Sequence, residues 1–441
     1  MSRVVIDITE LKNWSGHLTG VQRVVYGLAT ELAKNSDDVA FCSFDSTNKV
    51  FVEDSIRPYI AQVSQSAPLQ LPKSRRDLVR GAVTKAYFSL PHSFRAKLSE
   101  ERKRQLKKAA KRSYALAQNV AVKTGRLGRR AENKLGKQTH IEAMSLGPED
   151  TLLIPGRLWD YPDCIEYIMF RKHQDGFKLA TVIYDLVPIY QRHTFGPGLT
   201  ERYAPYLFQT IYYSDILLPI SKSTQNDIGR FADELGLELP RIEVIRLGDD
   251  LPYESAQKPN INLNLEDGFG ICIGTIEARK NHMLIYYAYK LAVQEGHELP
   301  PLVIVGKEGW LTHETVYFIK NDPETSDKII IVPSVTDSEL GWLYENALFS
   351  VYPSQYEGWG LPIAESMVYG TPCIASNTSS MVEIAPELVD HVSPFDSRAL
   401  MGKMQHYANR ITSEKRRAEI QSKYKAYSWS QTAKQLKKYL S

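Results

Sequence analysis

The chain has 441 residues and a formal net charge of +3; hydrophobic side chains make up 43% and charged ones 24%. At roughly 100–200 residues per domain this length predicts two domains, and so ordinary a composition excludes wholesale disorder and fibrous repeats. No stretch approaches the ~18 uninterrupted apolar residues that span a bilayer, and Cys42, Cys164, Cys272 and Cys373 are too scattered for a disulfide framework or a zinc knuckle.

In chain order, Met1–Ile8 carries Arg3 and Asp7 instead of the long apolar region of a signal peptide, and Val4–Ile8 reads as a first β-strand. That predicts a reduced, cytoplasmic protein. The small-residue loop Ser15–Arg23 follows and opens a helix. Between Lys73 and Lys137 lie 20 Lys and Arg against four acids, while the rest of the chain holds 34 bases against 47 acids. Val79, Ala82, Val83, Ala86 and Leu90 recur at helical spacing before Pro91, and Leu106, Ala109, Ala110, Ser113 and Ala117 form a second stripe among bases. Residues 73–140 therefore read as a basic helical insertion. Anionic lipid headgroups suit the segment 73–137, each base contributing roughly 1 kcal/mol near the surface. A solvated arm is the plainer alternative. Sparse aromatics (Tyr87, Phe88, Phe94, Tyr114) disfavour single-stranded nucleic acid.

Outside the insertion, short β-branched runs alternate with helical stretches. Val4–Ile8, Leu152–Ile154, Leu179–Tyr184, Ile216–Ile220 and Ile242–Ile245 read as strands of a first half. Phe269–Ile276, Leu302–Val305, Lys328–Val332, Leu348–Tyr352 and Cys373–Ala375 read as those of a second, with Leu340–Ala347 and Pro362–Tyr369 among the crossover helices. The alternation predicts an α/β fold of two Rossmann-like, doubly wound domains facing a cleft. Their expected bounds are 1–247 and 269–425, joined by the linker 248–268, with 426–441 a C-terminal helix returning to the first domain.

Ligands of open parallel sheets sit beyond the carboxyl ends of the strands, so loops that follow strands are the candidate sites. The loop Ser15–Arg23, with Gly20, lets backbone amides approach a phosphate. Tyr184-Asp185-Leu186-Val187-Pro188 ends a strand and is followed by His193. Gly274-Thr275-Ile276-Glu277-Ala278-Arg279-Lys280 places two adjacent cations at a strand end, where they can stabilise a departing diphosphate without a metal. Tyr356-Glu357-Gly358-Trp359-Gly360-Leu361-Pro362-Ile363-Ala364-Glu365 puts carboxylates on either side of a Gly-rich turn, where they can bond hydroxyls of two different sugars. On spacing alone each of these segments also reads as a connecting turn with solvated charges.

The last two motifs resemble those of retaining glycosyltransferases of the two-Rossmann-domain GT-B class, family 4 (group 1), and their mannosyltransferases in particular. The resemblance runs from Thr19-Gly20-Val21-Gln22-Arg23-Val24 to Trp429-Ser430-Gln431-Thr432-Ala433, omitting the basic insertion. It implies that Glu357 contacts the transferred sugar, Glu365 the donor's ribose, and the amides of Gly358, Trp359, Gly360 and Leu361 the donor sugar. Lys280 and Arg279 would clamp the diphosphate, beside Gly274 and Thr275; many members carry their clamp Arg near the position of Thr275, so Lys280 is the firmer match. Gly20 and Arg23 would meet the diphosphate across the cleft. Tyr184 stands where members often have His, so Tyr184 or His193 is the expected donor-sugar or acceptor contact, which Asp185, counted with Glu357, Lys280 and Arg279 as catalytic, can take over. Gly306–Trp310 and Val332–Glu339 would lie near the donor sugar and base.

The chain contains no Asp-x-Asp metal motif. The expectation is thus a metal-independent enzyme without a cofactor, using a nucleotide-sugar co-substrate. GDP-mannose is the first choice, ahead of dTDP-rhamnose and UDP-sugars. The expected acceptor is a saccharide or lipid-linked glycan of a bacterial surface polysaccharide, reached from the cytoplasmic face of the inner membrane, with no nucleic-acid partner. A sugar-nucleotide epimerase or glucan synthase of the same fold is the alternative, as is a binding module for nucleic acid or lipid that has lost catalysis.

Overall fold

A computed structural model describes residues 3–14, 20–34, 38–59, 143–196, 198–249, 256–261, 265 and 267–440. The basic segment 73–137, its expected helices and its membrane contact lie outside them.

Among the described residues, the first half holds seven strands: β1 (Val4–Asp7), β2 (Val39–Asp45), β3 (Val50–Asp54), β4 (Thr151–Ile154), β5 (Lys178–Ile183), β6 (Ile216–Pro219) and β7 (Arg241–Ile242). They lie in the order β3-β2-β1-β4-β5-β6-β7, parallel except for the antiparallel β2–β3 pair. The second half repeats the winding with β8 (Gly270–Ile273), β9 (Leu302–Val305), β10 (Ile329–Val332), β11 (Phe349–Tyr352), β12 (Cys373–Ser376) and β13 (Val389–Val392), ordered β10-β9-β8-β11-β12-β13. All of its pairings are parallel. Strand order reverses between β1 and β4 in one sheet and between β8 and β11 in the other, and such reversals open the crevice where ligands bind.

Both sheets are covered on both faces, which is why their strands are apolar without alternation. Val5, Leu152 and Leu217 enter one core with Phe231, whereas their neighbours Ile6, Leu153 and Leu218 enter another with Val24, Val25 and Leu28. In the second sheet Cys272 and Ile304 face Ile285 and Met404, while Ile271 and Val303 face Leu343 and Tyr344.

Several expected strands differ in extent. The run Phe269–Ile276 ends as a strand at Ile273, because Gly274 takes a φ of +136° and turns the chain. Ile242–Ile245 is reduced to the two-residue edge strand Arg241–Ile242. β2, β3 and β13 were not expected. The β2–β3 turn is tied by the Asp45 carboxylate, which accepts from the Thr47 and Asn48 amides.

The helix Trp429–Leu440 follows the second sheet in sequence but packs on the first. Ala433, Leu436 and Leu440 share a core with Val24 and Leu28 of the helix Val21–Lys34. The Trp429 ring lies so close that a Cβ at Gly27 would fall 2.5 Å from it, and one at Gly248 2.6 Å. The outgoing and returning chains are pinned together at Asp249. Its amide donates to the Tyr427 carbonyl at 2.8 Å, and its carboxylate accepts from the Tyr427 amide at 2.5 Å and from the Tyr424 hydroxyl. Leu436 is fully buried in this contact. Leu436→Ala is expected to lower the unfolding free energy by about 2–5 kcal/mol, measured by urea denaturation.

Candidate functional site

The two loops at the reversal of the second sheet are stapled to each other by backbone and side-chain amides. Asn281 adopts the left-handed conformation (φ 60°), and its side chain donates to the carbonyls of Pro353 at 3.1 Å and Pro394 at 2.8 Å. The Gln355 amide donates to the Arg279 carbonyl at 2.9 Å. A Cβ on Gly306 would fall 2.0 Å from the Gly274 carbonyl oxygen, so the loop after β9 leans on the same turn. This packing carries Arg279 and Lys280 onto Glu357.

Glu357 is 8% exposed, yet both of its oxygens are engaged. Oε1 accepts from Lys280 Nζ at 2.7 Å and from the Tyr352 hydroxyl at 3.0 Å; Oε2 pairs with the Arg279 guanidinium. Lys280 also donates to the Tyr352 hydroxyl at 2.7 Å, and Arg279 reaches Glu277 at 3.3 Å. Burial works against ionisation of Glu357, but the Arg279 and Lys280 charges prevail and hold its carboxyl down to about 2. The Glu357 backbone is fixed as well: its amide donates to Ser379 Oγ at 2.9 Å, and its carbonyl accepts from Ser380 Oγ at 2.9 Å. Burial raises the Asp185 carboxyl above its ordinary value, against the pull of Arg279.

The first half closes on this cluster through several contacts. A Cβ on Gly358 would lie 2.1 Å from the Tyr184 carbonyl oxygen and 2.8 Å from Asp185 Cβ, so glycine is what lets the two chains touch. The Tyr356 hydroxyl donates to Asp227 at 2.7 Å. The Glu383 carboxylate accepts from the amides of Lys222 and Ser223 at 2.9 and 2.8 Å, capping the helix Lys222–Leu235 from the opposite domain. Arg23 pairs with Glu365 at 2.5 Å, and the Tyr344 hydroxyl donates to the other Glu365 oxygen at 2.8 Å. Trp310 donates to the Thr194 carbonyl at 3.0 Å and stacks on Phe195 at 5.8 Å. Trp359 packs against cores of both halves.

Of the residues singled out by sequence, Glu357, Arg279, Lys280, Gly358 and Asp185 converge, and a Cβ on Gly274 would fall 3.8 Å from the Lys280 side chain. Glu365 meets Arg23. Gly360 and Leu361 open the helix Leu361–Val368, Pro362 being in its first turn. Tyr184 turns its side chain away: the hydroxyl donates to the Pro155 carbonyl at 2.5 Å, inside the first core. His193 and Thr275 are exposed, and Gly20 (φ +46°) has open space where a Cβ would stand.

Sequence reasoning missed Tyr352, Glu277, Ser379, Ser380, Asp227 and Glu383. Tyr352 ends β11, and the two serines follow β12, so the same rule of loops after strands marks them. It also missed a buried polar group at the reversal of the first sheet. There Glu10 accepts from Gln22 at 2.6 Å and from Arg157 at 2.8 Å. Among the described residues, no three His, Cys, Asp or Glu side chains are grouped as metal ligands.

A carboxyl held below its ordinary 4.5 contributes stability that is complete above that value and is lost as the pH falls toward its folded value of about 2. The gap in unfolding free energy between the wild type and Glu357→Gln is therefore expected to be widest above about pH 5 and to narrow as the acid limit is approached. Urea denaturation at a series of pH values measures it.

Residues 254–424 match the family model described as glycosyl transferases group 1. The O-antigen chain mannosyltransferase B of Escherichia coli is 27% identical over 260 residues, spanning 56% of this chain and 67% of that protein. The serotype-specific mannosyltransferase WbdA of Escherichia coli is 25% identical over 240 residues, 52% of this chain but only 29% of the relative. Among solved structures, sucrose-phosphate synthase from Thermosynechococcus elongatus aligns over 100% of this chain and 98% of its own, with a TM-score of 0.61 and 16% identity. Anabaena HepE in complex with UDP and glucose aligns over 100% and 99%, with a TM-score of 0.57 and 12% identity. Residues 254–424 thus match a glycosyl transferases group 1 domain, and the two halves share the GT-B architecture of those solved structures.

Proposed function

We propose that this chain is a glycosyltransferase that moves mannose from a nucleotide-sugar, GDP-mannose first among donors, to a saccharide acceptor of a lipid-linked surface polysaccharide, with retention and without a metal. The observation that carries the reading is the pairing of Glu357 with Arg279 and Lys280 at the reversal of the second sheet. The mannosyltransferase relatives support the choice of sugar.

In this scheme the bond from the sugar's anomeric carbon to the phosphate oxygen breaks, and the nucleoside diphosphate leaves against Lys280 and Arg279. Two adjacent cations in a low-dielectric pocket can stabilise that developing charge as oxyanion donors do. An acceptor hydroxyl attacks from the face the phosphate is leaving, and its proton passes to the departing phosphate oxygen. Glu357 orients the sugar through its hydroxyls, and Glu365 holds the ribose. The domain contacts around Gly358 keep water from the donor. The excess of bases in 73–137 supports docking on the anionic cytoplasmic face of the inner membrane.

The test is incubation with GDP-mannose, UDP-glucose, UDP-N-acetylglucosamine and dTDP-rhamnose, each with a saccharide primer and EDTA. Product from GDP-mannose alone, of retained anomeric configuration, is expected; product only from another donor overturns the choice of donor. Lys280→Ala is expected to lower kcat by about 10²–10³-fold, the loss typical of removing one transition-state donor, and to lower the melting temperature as well, because Glu357 loses a buried partner.

A further inference from the structure

Glu357 uses the hydrogen-bonding capacity of the two cations that the proposed reaction needs for phosphate. Its Oε1 takes Lys280 Nζ at 2.7 Å, and its Oε2 takes Arg279. Glu277 takes another edge of the Arg279 guanidinium at 3.3 Å. Two cations thus face two carboxylates, and no net positive charge is left over. Of the Arg279 nitrogens only Nε is left without a partner, so a diphosphate that takes the Lys280 ammonium and the terminal nitrogens of Arg279 has to separate them from Glu357. The displaced carboxylate, only 8% exposed, then needs new donors or stays buried and unpaired next to another anion.

A diphosphate that carries a sugar brings those donors, since its hydroxyls can take the Glu357 oxygens in place of the cations. A bare diphosphate offers acceptors and at most one P–OH donor, whose proton the neighbouring cations disfavour. We infer that Glu357 is a built-in competitor for the Arg279–Lys280 clamp, so that the site accepts sugar-bearing diphosphates and discriminates against bare ones. The inference rests on the transferase reading for the place of the diphosphate. Glu357 thereby acquires a second role. Once the sugar has been transferred, the carboxylate returns to its cations and helps expel the spent nucleotide.

Inorganic pyrophosphate is the probe, titrated calorimetrically into the full chain. Glu357→Gln keeps the volume and a hydrogen-bond partner for Tyr352 while removing the charge. It is expected to bind pyrophosphate about tenfold or more tightly than the wild type, a change of about 1.4 kcal/mol. Adding Lys280→Ala to that variant should abolish the gain. Glu383→Gln, which removes a carboxylate elsewhere at the domain junction, should bind within about twofold of the wild type. Equal or weaker binding by Glu357→Gln, no binding by any variant, or the same gain from Glu383→Gln overturns the inference. Should Glu357→Gln not fold, Glu357→Asp, whose shorter side chain cannot hold both cations, has to show a smaller gain in the same direction. The two readings fail separately. Tighter pyrophosphate binding without sugar transfer from any donor refutes the transferase assignment and keeps the competitor; transfer without a gain in Glu357→Gln does the reverse.

Discussion

Ions buried together must satisfy one another, since each loses its hydration and recovers it only from neighbours of opposite charge. Arg279, Lys280, Glu277 and Glu357 obey that constraint within one small volume. Much of the surrounding backbone serves to hold them there: Asn281 fastens one loop to the next, Gln355 bonds the Arg279 carbonyl, and Ser379 and Ser380 fix the Glu357 peptide. A cluster in which both cations and both carboxylates are paired is held in place before any ligand arrives, with Nε alone among the Arg279 guanidinium nitrogens left without a partner. The same pairing means that binding is an exchange of partners for the cations rather than the filling of an electropositive hole.

The junction between the halves follows a second rule, that polar groups on facing loop ends take their partners across the gap. Arg23 reaches Glu365, Asp227 receives Tyr356, and the first turn of the helix Lys222–Leu235 receives Glu383. Among the described residues these directional bonds surround the glycine contact at Gly358, with Trp359 and the Trp310–Phe195 stack adding apolar contact. Such junctions separate at modest cost, which suits the opening and closing that the proposed transfer requires.

The architecture was legible because both sheets are buried on both faces, so strands such as Leu152–Ile154 and Leu302–Val305 stand out as unbroken apolar runs. β13 escaped notice because its middle residues, Asp390 and His391, are polar; Asp390 is satisfied by Lys403 and Tyr407 from the next helix, which no local pattern announces. β3 escaped because an antiparallel edge strand ending Val-Glu-Asp reads as loop. At the site, loops after strands led to Glu357, Arg279 and Lys280. That the carboxylate would grip the cations could not be read, since the partners are 77 and 78 positions apart in sequence. Tyr184 shows the opposite limit: its position in the motif suggested a ligand contact, while its phenol had a buried carbonyl to bond.

The helix Trp429–Leu440 closes the first core although it comes after the entire second sheet. A ribosome therefore releases the second half, complete with its own strands, before the first half can bury Val24 and Leu28 fully. The usual order of synthesis, in which an N-terminal domain matures first, is inverted here. Until that helix emerges, this face of the first half stays open to chaperones and proteases.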